Sequence, residues 1–449
     1  MDLANLDAAE AVACLRRGEF RSVALVEACL ARIAERDAEV GAWAQLDREF
    51  ALDQARACDA AREAGEAGGP LHGLPVGVKD IFDTHGLPTE NGSVLDAGRQ
   101  PTEDCTVVGL LKEAGAVIMG KTVTTELAVY SPGKTRNPHN PEHTPGGSSS
   151  GSAAAVAAAM VPLAVGSQTN GSVIRPASYC GVYGFKPSLA RISRHGVLAQ
   201  SRYLDHVGVF ARSIEDVALI AESLMAYDAK DPDMRLTGRP HLVETVADDP
   251  PVRPMLGFVK SPVWDQAEEA TREAFAELAE VLGDGCDAVD LPEPFDLAVE
   301  LHRTIMHADV AKSFASYYER GKDELSAGLR DMIESGQRVL AVEYNRAVDW
   351  IGVLNGGLDR IFERYDAIVT PATTGEAPAG LDSTGSPVFC TLWTYCGTPA
   401  VTLPLMVGPG GLPVGVQLVG RRGDDARLLR TARWLVRRVA DEDRDRGTI

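Results

Sequence analysis

"TPGGSSSGSAAAVAAAMVPLAVGSQTNGSVIRPASYCGVYGFKP", residues 144–187, joins two hydroxyl-rich turns through a run of small residues and an apolar segment. In the first turn Ser148, Ser149, Ser150 and Ser152 crowd among glycines, and alanines follow directly. Small side chains let backbones approach closely, as a loop requires when one of its hydroxyls must be held still. The second turn, Ser167-Gln168-Thr169-Asn170-Gly171-Ser172, comes straight after a strand-like apolar run. Asn170 and Gly171 tolerate unusual backbone angles, so consecutive N–H groups are expected to point to one side. Such a nest beside a hydroxyl suits a tetrahedral oxyanion.

Upstream, Lys79 sits in "PVGVKDIF", among Val76, Val78 and Ile81. Burial in such a run strips water from the ammonium and lowers its pKa, which makes a neutral base near neutral pH. A lysine, a glycine-bracketed serine loop and a serine on a nest suffice for nucleophilic catalysis without histidine.

The rest of the chain places these pieces in a layered fold. Short apolar runs such as "GAVIMGKT", "PMLGFVK", "YDAIVTPAT" and "LPVGVQLVG" read as strands, with helical patterns near 104–114, 152–160, 213–226 and 267–282. Their alternation implies an α/β core with a mixed sheet. "PAVTLPLMVGPGGLPVGVQLVG" reads as a hairpin about 408–413. The first 65 residues read as helices. Asp7 is expected to cap one that ends near Gly18, and Ser22 the next, in which Val23, Val26, Leu30 and Ile33 form a stripe. Residues 44–64 form a third. The Asp- and Pro-rich stretch 228–253 reads as an exposed excursion. With no clean linker, the chain is expected to be one domain: helices over 1–65, a core over 70–225, a mostly helical region over about 228–365 packed on one end of the sheet, and closing strands over 366–435.

Net charge is −20 over 449 residues, which argues against sequence-independent nucleic-acid binding. No run of eighteen apolar residues occurs, so no membrane span is expected. The acidic N-terminus lacks a secretory pattern, and eight scattered cysteines without a CxxC pair read as reduced thiols. Both features point to a cytoplasmic protein.

The ordered stretches "GLPVGVKDIFDTHGLPTENGS", "TRNPHNPEHTPGGSSSGSAAAVAAAMVPLAVGSQTNGSVIRPASYCGVYGFKPS", "LDHVGVFARSIEDVAL", "CGTPAVTLPL" and "GLPVGVQLVG" resemble the amidase signature family. The resemblance runs from about 70 to 225 and from 365 to 435. It implies a three-layer α/β/α fold and a Ser–cisSer–Lys amidohydrolase. Residue by residue it implies Ser172 as nucleophile, Ser148 on a cis peptide as the bridge, and Lys79 as base. The family separation of the two serines, 24 positions, is met by Ser148 and Ser172. The implied oxyanion hole is the N–H groups of Thr169, Asn170, Gly171 and Ser172. This chain departs from the family's commonest turn, S-D-T-G-G-S-I-R. Gln168 replaces the acid, Asn170 the first glycine, and Arg175 stands three rather than two residues after Ser172.

Other readings of the same residues are weaker. "GSSSG" fits a nucleophile elbow on Ser149, but Gly/Ser-rich runs meet that pattern by chance. A phosphate loop would require Gly-Lys-Ser/Thr, which is absent. His139 and His143 have metal-ligand spacing, yet Pro138, Pro141 and Pro145 prevent the helix that would pair them. Cys180 and Cys390 read as buried thiols. The expectation is a cofactor-free hydrolase, without metal, of small aryl or hydrophobic amides or carbamates (a urethanase-type activity). Tyr130 and Trp393 are candidate pocket residues, and a homodimer is left open. The alternatives are the glutamine amidase subunit of a tRNA-dependent amidotransferase, and a binding protein that keeps the fold without the chemistry.

Overall fold

The computed structural model describes residues 2–66 and 68–445. Eleven strands form one mixed sheet: β1 Trp43–Leu46, β2 Pro75–Lys79, β3 Val117–Thr122, β4 Leu163–Gln168, β5 Tyr183–Lys186, β6 His206–Ala211, β7 Leu256–Val259, β8 Cys286–Val289, β9 Ala367–Pro371, β10 Ala400–Val407 and β11 Pro413–Val419. Their order is β1-β3-β2-β4-β6-β5-β10-β11-β9-β7-β8. β2, β3, β6 and β9 are buried along their whole length. Strands covered on both faces carry continuous apolar runs rather than alternation, which is why β2, β3 and β9 stand out in the sequence, whereas β6, though equally buried, does not. The β10–β11 hairpin is antiparallel, with Ala400 opposite Val419.

Two buried clusters flank the sheet. The larger joins the N-terminal helices to β2, β3, β4 and β6. The second lies among helices Ala298–Ser313, Ala327–Gly336, Ala341–Phe362 and Val388–Tyr395.

Several local expectations are corrected. β1 precedes the third helix, which spans only Arg48–Glu63, and β5, β6 and β8 join the sheet as well. Asp7 does not cap the first helix, Ala8–Arg17. The Asp216 carboxylate, 2.7–2.8 Å away, accepts its first N–H groups instead. Likewise Asp59 accepts from the N–H groups of Ser22 and Val23, while the Ser22 hydroxyl donates to Gly73 O. A carboxylate is a stronger acceptor than a hydroxyl, and here it also ties distant elements together. The 228–253 stretch is exposed in part, but it contains the helix Leu242–Ala247 and a buried Asp231 paired with Arg194.

Candidate active site

β2 and β4 are parallel neighbours, with Val78 level with Val165, so their C-terminal ends bring Lys79 beside Ser167. Lys79 is fully buried. Its Nζ lies 2.7 Å from Ser148 Oγ and 2.9 Å from Ser167 Oγ. Burial pushes the lysine well below its ordinary value, and the nearby Asp205 carboxylate only partly opposes this. Ser167 carries no chemical signal of its own in the sequence. The register of two parallel strands is what places it.

The serine loop leads into the helix Ser150–Ala157, which packs under β4. The peptide between Gly147 and Ser148 is cis. Gly146 has φ +80°, a conformation that favours glycine, and its absent Cβ would stand 2.8 Å from Pro176 Cα. A Cβ on Gly166 would meet the Ser149 hydroxyl at 2.6 Å. The glycines and alanines therefore let the loop lie directly on the strand. Ser149 is fully buried and exchanges hydrogen bonds with the backbone of Ser167, so its hydroxyl is occupied structurally.

Arg175 is also buried. One guanidinium nitrogen donates to Gly147 O at 2.7 Å and to Thr384 Oγ1 at 3.1 Å. It has no carboxylate partner among the described residues, and burial lowers its pKa. It fastens the carbonyl of the cis peptide that carries Ser148.

The second serine-bearing turn, 169–172, links β4 to the helix Ile174–Cys180. Gln168 fills the role of a helix-end acceptor: its Oε1 takes the N–H groups of Val173 and Ile174, at 2.8 and 3.0 Å. Neither Asn170 nor Gly171 adopts a positive φ, contrary to expectation. Gly171 is required for close approach instead, since a Cβ there would stand 2.9 Å from Pro387 Cβ and 3.2 Å from Cys390 Sγ. The N–H groups of Asn170, Gly171 and Ser172 donate to no described residue. Ser172 is half-buried, and its Oγ bonds neither Ser148 nor any other described residue. The Lys79–Ser148 contact is closed and the Ser148–Ser172 contact is open.

Tyr130 reaches the turn, accepting from Asn170 Nδ2 at 3.1 Å, and Thr391 donates to Asn170 Oδ1 at 2.7 Å. Trp393 lies fully buried in the second core, away from any open surface. Leu127 and Ala128, just before Tyr130, hold left-handed φ of 45° and 56°, and Gln200 Nε2 donates to both of their carbonyls. A cavity of about 340 Å³ borders Ser167, Thr169, Gln200 and Asp205, and Ser148 and Ser172 are not among its walls. His139 and His143 bond the carbonyls of Cys180 and Ala377, and no cluster of metal-binding side chains occurs among the described residues. Cys180 and Cys390 are buried.

The Amidase family model matches residues 24–429. The chain belongs to the amidase family. This amidase is 34% identical to a glutamyl-tRNA(Gln) amidotransferase subunit of Moorella thermoacetica, over 96% of each chain. It is also 34% identical to the protein of that name from Streptomyces coelicolor, over 95% of this chain and 94% of the relative. Among solved structures, one described as a vestigial protein complex that reveals the evolutionary origins of an s-triazine catabolic enzyme superposes with TM-score 0.90 at 29% identity, covering 96% of this chain and 98% of that one. The peptide amidase of Stenotrophomonas maltophilia gives TM-score 0.85 at 28% identity over 97% of both chains. This amidase is a hydrolase of amide C–N bonds on a mixed α/β fold. None of its described helices is long and apolar enough to cross a membrane.

Proposed function

We propose that Ser172 is the nucleophile of this amidase, that Ser148 relays protons, and that neutral Lys79 is the base. The observation that carries this reading is the buried Lys79 amine held 2.7 Å from the hydroxyl of Ser148 on its cis peptide. Binding of substrate closes the open half of the relay, since catalytic hydrogen bonds often tighten only in the Michaelis complex. Ser148 takes the Ser172 proton as it passes its own to Lys79 Nζ. Ser172 Oγ then attacks the carbonyl, and the oxyanion settles on the free N–H groups of the turn. Ser148 returns a proton to the leaving nitrogen, and water opens the acyl-enzyme by the same steps. A carbamate differs only in the group beside its carbonyl and follows the same path.

For substrates, the side chains gathered at Asn170 and Gly171 are Tyr130, Pro387, Cys390 and Thr391, all uncharged. Arg175 is held through one nitrogen by Gly147 and Thr384, while its Nε and Nη1 have no partner among the described residues. These surroundings favour small neutral amides or carbamates. A second reading is the glutamine amidase component of an amidotransferase, and the 34% identity to proteins named as amidotransferase subunits, over nearly the whole length, favours it on sequence grounds. Gln168 and Asn170 in the nucleophile turn favour the first. The test is the purified chain alone, assayed on an aryl amide, an aryl carbamate and glutamine. Turnover of the neutral substrates without a partner supports the first reading. Activity confined to glutamine, and only in the presence of partner proteins, establishes the second.

A further inference from the structure

We infer that His302 and Thr394 are positioning residues that orient the oxyanion-binding N–H groups from behind the nucleophile turn. The inference rests on the proposed role of that turn. A trans peptide is planar, so the C=O of one residue and the N–H of the next point in opposite directions. Fixing one fixes the other. His302 Nε2, on the helix Ala298–Ser313, lies 2.9 Å from Thr169 O. A carbonyl can only accept, so Nε2 carries the proton and the Asn170 N–H is turned away from His302. Thr394 Oγ1, on the helix Val388–Tyr395, donates to Asn170 O, which turns the Gly171 N–H outward in the same way. The Gly171 carbonyl accepts from Arg175 N at 2.9 Å, which aims the Ser172 N–H. Three consecutive peptides are thus held by their carbonyls, and their N–H groups, like that of Thr169, have no acceptor among the described residues.

Both pins are built to be rigid. His302 is 1% exposed and Thr394 is fully buried. Gln168 Nε2 donates to Thr394 Oγ1 at 2.9 Å, so the hydroxyl's one proton is left for Asn170 O. His302 belongs to a helix face that meets the loops around the turn at several levels. Met306 meets the Tyr130 hydroxyl, Asp309 accepts from Ser201 Oγ, and Ser313 Oγ donates to Gln200 O. The titratable groups packed nearest the imidazole do not charge it: burial, with His307 adding, lowers His302 to about 4, and the Thr169 carbonyl opposes this only in part. The ring stays a neutral single donor through the neutral range.

The experiment compares His302→Leu, His302→Gln, Thr394→Val and Thr394→Ser in the full chain. An amide substrate is used alongside an arylboronic acid, which forms a tetrahedral adduct on a serine. For His302→Leu and Thr394→Val we expect kcat to fall 10- to 100-fold with KM within threefold. The boronate inhibition constant should rise by the same factor as kcat falls. His302→Gln and Thr394→Ser keep a donor and should recover most of both. A merely structural role would lower the melting temperature without moving kcat and boronate affinity together. If His302→Leu does not fold, the Thr394 pair decides alone. Near-normal kcat and boronate affinity in the folded Leu and Val variants overturns the inference. Unchanged boronate affinity in Ser172→Ala would instead overturn the assignment of the nucleophile, so the two failures are separate.

Discussion

Lys79 is the residue on which the proposed proton relay depends most. A free lysine titrates at roughly 10.4 and would be almost wholly charged at neutral pH. Burial lowers the amine well below that value, and the neutral form is the one able to take a proton from Ser148. Because deprotonation makes the active form, kcat/KM should rise with pH and level off below the ordinary lysine range. Lys79→Ala should cost orders of magnitude in rate and remove that ionisation from the profile. Lys79→Arg should be nearly as damaging, because a guanidinium keeps its proton at accessible pH. Steady-state profiles of the three proteins check this, and a near-normal Arg variant would mean that the residue acts by charge alone.

At the scale of elements, the site depends on a helix that packs through glycine against the backbone just before β1 and just after β3. A Cβ on Gly151, in the helix that carries the serine loop, would stand 2.3 Å from Ala42 O and 2.4 Å from Val123 N, both backbone atoms. Gly151→Ala should therefore cost about 1–3 kcal/mol of stability by overpacking, read as a lower denaturation midpoint. An unchanged midpoint would show that the helix can shift away. The same scale explains what the sequence could convey. Lys79, Ser148 and Ser172 are legible because each lies in a linear signature whose spacing survives without a structure. Long apolar strands such as β3 and β4 are legible through burial on both faces. Of the four-residue strands only β7, buried at every position, is legible; β1, β5 and β8 are partly exposed and offer too few positions for a period to register. His302 and Thr394 are invisible in the sequence because their partners lie 133 and 224 residues away in the chain. The caps from Asp59 and Asp216 are hidden for the same reason.

The whole molecule carries buried ionisable groups whose linkage sets its pH stability. Lys79, Lys121 and Lys186 are buried, and burial lowers each, Lys186 to about 7. The unfolded chain keeps those protons up to roughly pH 10.4. Between the two values the unfolded state binds more protons, so this contribution to stability grows as pH rises. Cys29, Cys105, Cys390 and Cys396 act in the opposite sense, since burial raises each to about 12. Their unfolded counterparts ionise from roughly 8.5, so their contribution is lost as pH climbs past that point. Tm should therefore rise from pH 7, peak between about 8 and 9, and then fall. Lys186→Met should flatten the rising limb in scanning calorimetry. A wild-type Tm that falls steadily from pH 7 would contradict this balance.

The central claim is that one hydroxyl among the serines of two adjacent turns forms the acyl-enzyme, and covalent labelling tests it most directly. The protein is treated with an arylsulfonyl fluoride, digested, and the modified peptide sequenced by mass spectrometry. A single adduct on Ser172 is predicted, absent from Ser172→Ala and formed at least about 100-fold more slowly in Lys79→Arg, within the range that loss of a general base removes. An adduct on Ser149, with Ser172→Ala still turning over amide at the wild-type rate, would contradict it.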